Sequence, residues 1–221
     1  MSGRVAVVVF PGTNCEYDVL RALQRVGLKG ELVWHGEGSL EGYEAIVIPG
    51  GFAHGDYLRP GAIARFSNVM SAIVDSANAG IPTLGICNGF QVLTEAGLLP
   101  GALQKNSGLK FLCRPEKLEV VSTSSIVSST LVKAQIIELP INHFEGNYTI
   151  SQEGYEKLIE NDQVVFRYVD NPNGSMGSIA GISNTAGNVV GMMPHPERAS
   201  DLLLGSIDGL SVFESLKFKI S

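Results

Sequence analysis

The chain has 221 residues, 44% of them hydrophobic and only 17% charged, which is enough apolar material for one sizeable core and argues against disorder. A formal net charge of −6 excludes the basic footprint that nucleic-acid backbones and anionic membranes require. No apolar run approaches the roughly 18 residues of a membrane span, and the three cysteines are too widely spaced for a disulfide framework or a zinc site.

Taken in chain order, Met1-Ser2-Gly3-Arg4 leads into a short valine run rather than a signal peptide, so synthesis and function in the cytosol are expected. Val5 to Phe10 is rich in β-branched residues and ends at Pro11-Gly12, which predicts a strand. Val19, Leu20, Leu23 and Val26 then stand at helical spacing, predicting a helix over Glu16 to Val26. The pattern repeats with strands near Glu31 to His35 and Ala45 to Pro49, a helix from about Ala62 to Ala79, a strand at Thr83 to Cys87 and a helix from about Gly89 to Ala96. Apolar strands alternating with helices imply an α/β fold, a doubly wound and mostly parallel central sheet with helices on both faces.

From Leu109 the texture changes to alternating segments at Lys117 to Ser122, Ala134 to Leu139, Asn147 to Ser151, Val164 to Val169, Ile179 to Asn184 and Asn188 to Met193. These read as more exposed or antiparallel strands added to the sheet. Ser122 to Thr130 and Asp170 to Gly174 read as turns, and an amphipathic helix from about Gly209 to Phe218 closes the chain. With no linker or repeat, residues 1–221 are expected to form a single domain.

The chemistry concentrates at Pro82-Thr-Leu-Gly-Ile-Cys-Asn-Gly-Phe-Gln91, a buried-type strand that runs through Gly-x-Cys-x-Gly into a helix. This is the form of a nucleophile elbow. Glycines at 85 and 89 allow a sharp turn, which places Cys87 at the sheet's carboxyl edge beside helix amides that favour a thiolate. A cysteine nucleophile needs a base. Of the four histidines, His195 ends an apolar strand between two prolines, with Glu197 two residues on, the same-face spacing of an extended chain. The oxyanion of acyl transfer needs backbone donors, for which the Asn88 amide and the Pro49-Gly50-Gly51-Phe52 turn are the candidates.

Gly85-x-Cys87-x-Gly89-x-Gln91, with Pro49-Gly-Gly51 upstream and His195-x-Glu197 downstream, resembles the class I (triad) glutamine amidotransferases. Phe10 to Cys15, Pro49 to Arg59, Asn171 to Ser175 and Gly187 to Arg198 make it similar in particular to the glutaminase subunits of phosphoribosylformylglycinamidine synthase. The resemblance implies a flavodoxin-like glutamine amidotransferase domain in which Cys87 attacks the side-chain amide of glutamine. Ammonia leaves through a γ-glutamyl thioester, with His195 as acid and base, Glu197 orienting it, Gly51 and Asn88 forming the oxyanion hole, and Gln91 contacting glutamine. It also implies a separate synthase subunit that uses ATP and magnesium to amidate formylglycinamide ribonucleotide, with a small accessory subunit, and no cofactor or metal in this chain. The sequence departs from the family pattern at Asn142-His-Phe-Glu-Gly146 and at Ala53-His54, and neither His143 nor Glu145 is given a catalytic role. Arg59 reads equally as an interface residue or a surface charge.

Other readings are open on the residues alone. Cys15 also follows a strand and precedes a helix, although it lacks flanking glycines. Small cysteine hydrolases and deglycase-like enzymes place a cysteine elbow on the same sheet, a glutaminase could serve a different synthase, and a chain lacking a triad member would be a binding module.

Overall fold

The computed structural model describes residues 3–51 and 67–220. Phe52, Ala53, His54, Arg59 and the first residues of the helix expected from Ala62 lie outside the described residues. In chain order the elements are β1 (Arg4–Val9), α1 (Glu16–Arg25), β2 (Lys29–Trp34), β3 (Ala45–Ile48), α2 (Asn68–Asn78), β4 (Thr83–Ile86) and α3 (Asn88–Glu95). There follow β5 (Ala102–Gln104), β6 (Leu112–Val120), β7 (Ile136–His143), β8 (Asn147–Thr149), α4 (Gln152–Glu160), β9 (Val164–Tyr168), β10 (Ile179–Ser183), β11 (Val189–Met192) and α5 (Leu210–Ile220).

Among the described residues, nine strands form one sheet in the order β2-β1-β3-β4-β11-β10-β9-β6-β7. The first five run parallel, and their connections leave β1 toward β2 on one side and proceed through β3 and β4 on the other. This is the doubly wound arrangement, and it opens a crevice at the carboxyl ends where the direction reverses. Central strands buried on both faces need apolar side chains throughout, and β3 accordingly reads Ala-Ile-Val-Ile, fully buried. Helix α1 covers the sheet with Val19, Ala22 and Leu23, while α3 buries all six residues from Asn88 to Leu93.

β10 is antiparallel to both neighbours, as expected, although it is buried along its whole length. The expectation for β11 is corrected: it is antiparallel to β10 but lies fully buried and parallel to its first-half neighbour β4. Both strands sit inside the sheet rather than at its edge, so solvent leaves no polar alternation on them. The Asn147 segment pairs with β5 in a separate two-stranded sheet, and α4 was not foreseen.

The antiparallel half also curls. In a flat sheet β7 would stand four strand spacings from β11, roughly 19 Å. Yet Pro140 in β7 accepts a 2.8 Å bond from the His195 backbone just past β11. Right-handed twist, and the register shift between β9 and β10 at Gly181, bring the outer strand back over the carboxyl edge. The pairing directions of the four added strands point β7 the same way as β11, so its end, Asn142-His143, arrives at that same edge.

Candidate active site

Each wall of the crevice is the first turn after a parallel strand. β4 ends at Cys87, which takes φ 52° and ψ −106°, a left-handed conformation that costs a non-glycine residue about 1–3 kcal/mol. The surroundings enforce it. The Cys87 N–H is held 2.8 Å from the Met192 carbonyl, and its own carbonyl starts α3 by accepting from Phe90 and Gln91. The flanking glycines serve close packing: a Cβ on Gly89 would fall 2.0 Å from the Ile48 carbonyl oxygen, and one on Gly85 would fall 2.5 Å from that of Gly89. Residue 87 is thus the strained point and 85 and 89 are the clearance around it.

His195 and Glu197 come from the turn after β11. His195 Nδ1 and Glu197 Oε1 are 2.6 Å apart, and both side chains are almost completely buried. The pairing does not follow from an extended chain, as the sequence led us to expect. β11 ends at Met192, and Pro196–Ala199 form a 3-10 turn with His195 at its start. Pro196 sits at the first position of that turn, where its missing N–H is harmless. Burial alone would lower the imidazole pKa, but the Glu197 carboxylate and the Cys87 sulfur outweigh it and hold His195 well above its usual 6.5. Nε2 has no hydrogen-bond partner among the described residues.

Gly50 brings base and thiol together. A Cβ there would lie 2.7 Å from His195 Cε1 and 3.2 Å from Cys87 Cβ, so the imidazole and the cysteine flank this α-carbon. Gly51, by contrast, backs onto the loop after β1, where a Cβ would meet the Gly12 carbonyl oxygen at 2.3 Å. Its closeness is to protein rather than to an open face. The Asn88 side chain donates to the Gly51 carbonyl at 2.5 Å, tying together the two segments expected to supply oxyanion donors. As the first residue of α3, Asn88 has a backbone N–H without a carbonyl acceptor inside its own helix.

Gln91, one turn along α3, donates to the Glu145 carbonyl at 3.1 Å and keeps its own Oε1 unpartnered and buried. The Cys87 thiol lies 3.8 Å from the Asn142 carbonyl. The segment Asn142 to Gly146, given no catalytic residue from sequence, therefore lies against the nucleophile. Three further buried residues, one of them in that segment, surround it. His143 is buried and its imidazole is pushed down to about 3 by burial and by the charge of His195. Asn106 is buried and bonded to that histidine at 3.1 Å. Tyr168 is buried and its phenol is raised, first by burial and then by the Cys87 sulfur. No local motif announces any of them.

Cys15 follows β1 and caps α1, but its sulfur accepts from Arg198 Nη2 at 3.2 Å and its thiol points to Asn14 Oδ1 at 3.2 Å. It lacks the elbow of Cys87. Its sulfur lies within 4.8 Å of donor atoms on His195 and Glu197, a spacing that a metal ion could bridge. The His195–Glu197 hydrogen bond already engages both of those groups, however, and Arg198 adds positive charge at the sulfur. A proton suits this cluster better than a cation. Cys113 is exposed.

The model of the CobB/CobQ-like glutamine amidotransferase domain matches residues 2–209. The chain belongs to that family. It is 43% identical to a chain in the structure of PurLQS from Thermotoga maritima, with a TM-score of 0.90 and 98% of each chain covered. Two more distant structures share the fold. A glutamine amidotransferase from Thermotoga maritima is 16% identical at TM-score 0.66, covering 100% of this chain and 99% of that one. The glutaminase domain of Trypanosoma brucei CTPS, with bound acivicin, is 16% identical at 0.63, covering 97% and 94%. This glutamine amidotransferase thus carries its cysteine, histidine and glutamate where two neighbouring parallel strands, β4 and β11, end. Among the described residues no helix is long and apolar enough to cross a membrane.

Proposed function

We propose that the chain, acting as one domain, is the glutaminase subunit of phosphoribosylformylglycinamidine synthase, with Cys87 as nucleophile, His195 as acid and base, and Glu197 as the group that orients it. The observation that carries the chemistry is the buried 2.6 Å His195–Glu197 pair set across Gly50 from a cysteine at a strained elbow. With Nδ1 engaged by the carboxylate, Nε2 is the nitrogen left to exchange a proton with the thiol and the substrate. The 43% identity to the PurLQS chain over 98% of both supports the choice of pathway.

In this mechanism the Cys87 proton passes to His195, and the sulfur adds to the side-chain carbonyl of glutamine. The developing oxyanion takes hydrogen bonds from the Asn88 and Gly51 backbone N–H groups. His195 then returns the proton to the departing nitrogen, leaving a γ-glutamyl thioester and ammonia. Water attacks the thioester as His195 takes its proton, and glutamate leaves. Gln91 holds glutamine. Ammonia moves to an ATP- and magnesium-dependent subunit that converts formylglycinamide ribonucleotide to formylglycinamidine ribonucleotide, with a small accessory subunit in the assembly, in the cytoplasm. This chain needs no cofactor of its own.

The test is glutamate release from glutamine by the purified chain, first by itself and then with the complete synthase mixture of partner, ATP and acceptor. We expect weak activity by itself, stimulation by the complete mixture, and loss of both in Cys87→Ala. Undiminished activity in that variant would overturn the site, and stimulation only by a different acceptor would overturn the pathway.

A further inference from the structure

Asn106 is 1% exposed and uses every hydrogen-bonding group it has. Its Nδ2 donates to the Lys110 carbonyl at 2.8 Å and to the His143 carbonyl at 3.0 Å. Its Oδ1 accepts from the Gly146 N–H at 3.1 Å and faces His143 Nδ1 at 3.1 Å. Two carbonyls on one side and a backbone N–H on the other determine which end of the amide is oxygen. That oxygen can only accept, so His143 Nδ1 carries the ring proton and Nε2 carries a bare lone pair. The ring is also clamped from above, since a Cβ on Gly146 would fall 2.2 Å from its Cε1. Nε2 is buried and has no partner among the described residues.

An acceptor left in this state costs free energy unless a donor arrives. The imidazole belongs to the segment whose Asn142 carbonyl meets the Cys87 thiol and whose Glu145 carbonyl holds Gln91. It also lies near enough to His195 to feel its charge, and it stays neutral. The nitrogen that His195 must protonate has further N–H bonds, before and after it leaves carbon.

We propose that Asn106 is a positioning residue that locks His143 in the Nδ1–H tautomer, so that Nε2 accepts an N–H of the glutamine carboxamide nitrogen as it departs as ammonia. The inference rests on the glutaminase reading above. It gives the Asn142 to Gly146 segment a polarity: His143 is built to receive hydrogen and His195 to deliver it.

Nitrogen NMR on histidine-labelled full-length chain tests the tautomer without reference to activity. The expected spectrum shows His143 with protonated Nδ1 and bare Nε2 in the wild type, and mixed tautomers in Asn106→Leu. A protonated Nε2 in the wild type overturns the proposal. Kinetics in the complex with the synthase test its use, by comparing glutamine with glutamate γ-methyl ester. The ester forms the same acyl-enzyme but has no N–H on its leaving group.

His143→Phe should lower kcat/KM for glutamine about 10-fold to 100-fold, as for one lost hydrogen bond to a buried partner, and leave the ester within about twofold. His143→Gln, whose side-chain oxygen can accept near the Nε2 position, should recover part of the loss. Equal losses on both substrates, or none on either, would show that His143 only supports the fold. Undiminished glutamate release in Cys87→Ala would overturn the glutaminase reading, whereas an inactive Cys87→Ala together with a protonated Nε2 on His143 would overturn this proposal alone.

Discussion

Gly50→Ala is the sharpest probe of how the base and the thiol are brought together. The new methyl carbon would stand 2.7 Å from His195 Cε1 and 3.2 Å from Cys87 Cβ, whereas ordinary contact begins at 3.4 Å. Cys87 cannot give way, because its backbone is held by the Met192 carbonyl and by the start of α3. His195 must therefore retreat by about 0.7 Å, and displacements on the scale of about 1 Å can cost about 100-fold in a reaction that depends on near-attack geometry. Retreat also strains the 2.6 Å bond between His195 and Glu197, whose side chains are both buried. The assay is glutamate release with the synthase complex at saturating and limiting glutamine, alongside alkylation of Cys87 by iodoacetamide. A fall in kcat with the fold retained by circular dichroism is expected, with slower alkylation. Activity within about threefold of wild type would refute the reasoning, since it would mean that the imidazole does not need its position beside this α-carbon.

Glu197→Gln keeps the shape of the buried pair but removes the charge that holds His195 in its protonated range, and we expect kcat to fall by up to about 10⁴-fold. A smaller effect than that of Gly50→Ala would argue that Glu197 is structural. Gly89→Ala drives a methyl into the Ile48 backbone carbonyl oxygen at 2.0 Å and should destabilise the chain by at least about 3 kcal/mol in urea unfolding. His143, held at about 3 against an unfolded value near 6.5, binds fewer protons folded than unfolded, so its stabilising contribution is complete at neutral pH and falls as pH drops toward 3. The loss between pH 7 and pH 5 should be about 2 kcal/mol and should disappear in His143→Gln. His195 has the opposite sign: raised in the fold, it contributes below its unfolded pKa and loses that contribution as pH rises through its folded value.

What was legible in the sequence was local. The first-half strands and the helices α1 and α3 appear within one or two residues of their expected positions, and the helix expected from Ala62 is described only from Asn68, because burial on both faces of a parallel strand writes an unbroken apolar run and a covering helix writes a 3.6-residue stripe. Cys87 could be picked out because an elbow needs clearance on both sides, and clearance means glycine. His195 and Glu197 could be paired because two residues separate them at most by one turn, whatever the backbone does. A mostly parallel sheet with a shared carboxyl edge follows from the alternation of strand and helix; the order of its strands, with β11 parallel to β4, does not. α4, by contrast, lies on the surface with only Leu158 buried, so it leaves almost no stripe to read.

Only the tertiary structure decided what stands opposite the thiol. Asn106 and His143 are 37 residues apart and meet through two hydrogen bonds in buried space. The Asn142 carbonyl reaches Cys87 across 55 residues, because the antiparallel half of the sheet curls. Curl is the summed twist of nine strands plus one irregular register, a property of no single segment. A periodicity reports which face of an element is buried. It carries no information about which other element covers that face, and the polar groups that meet there are chosen by that contact.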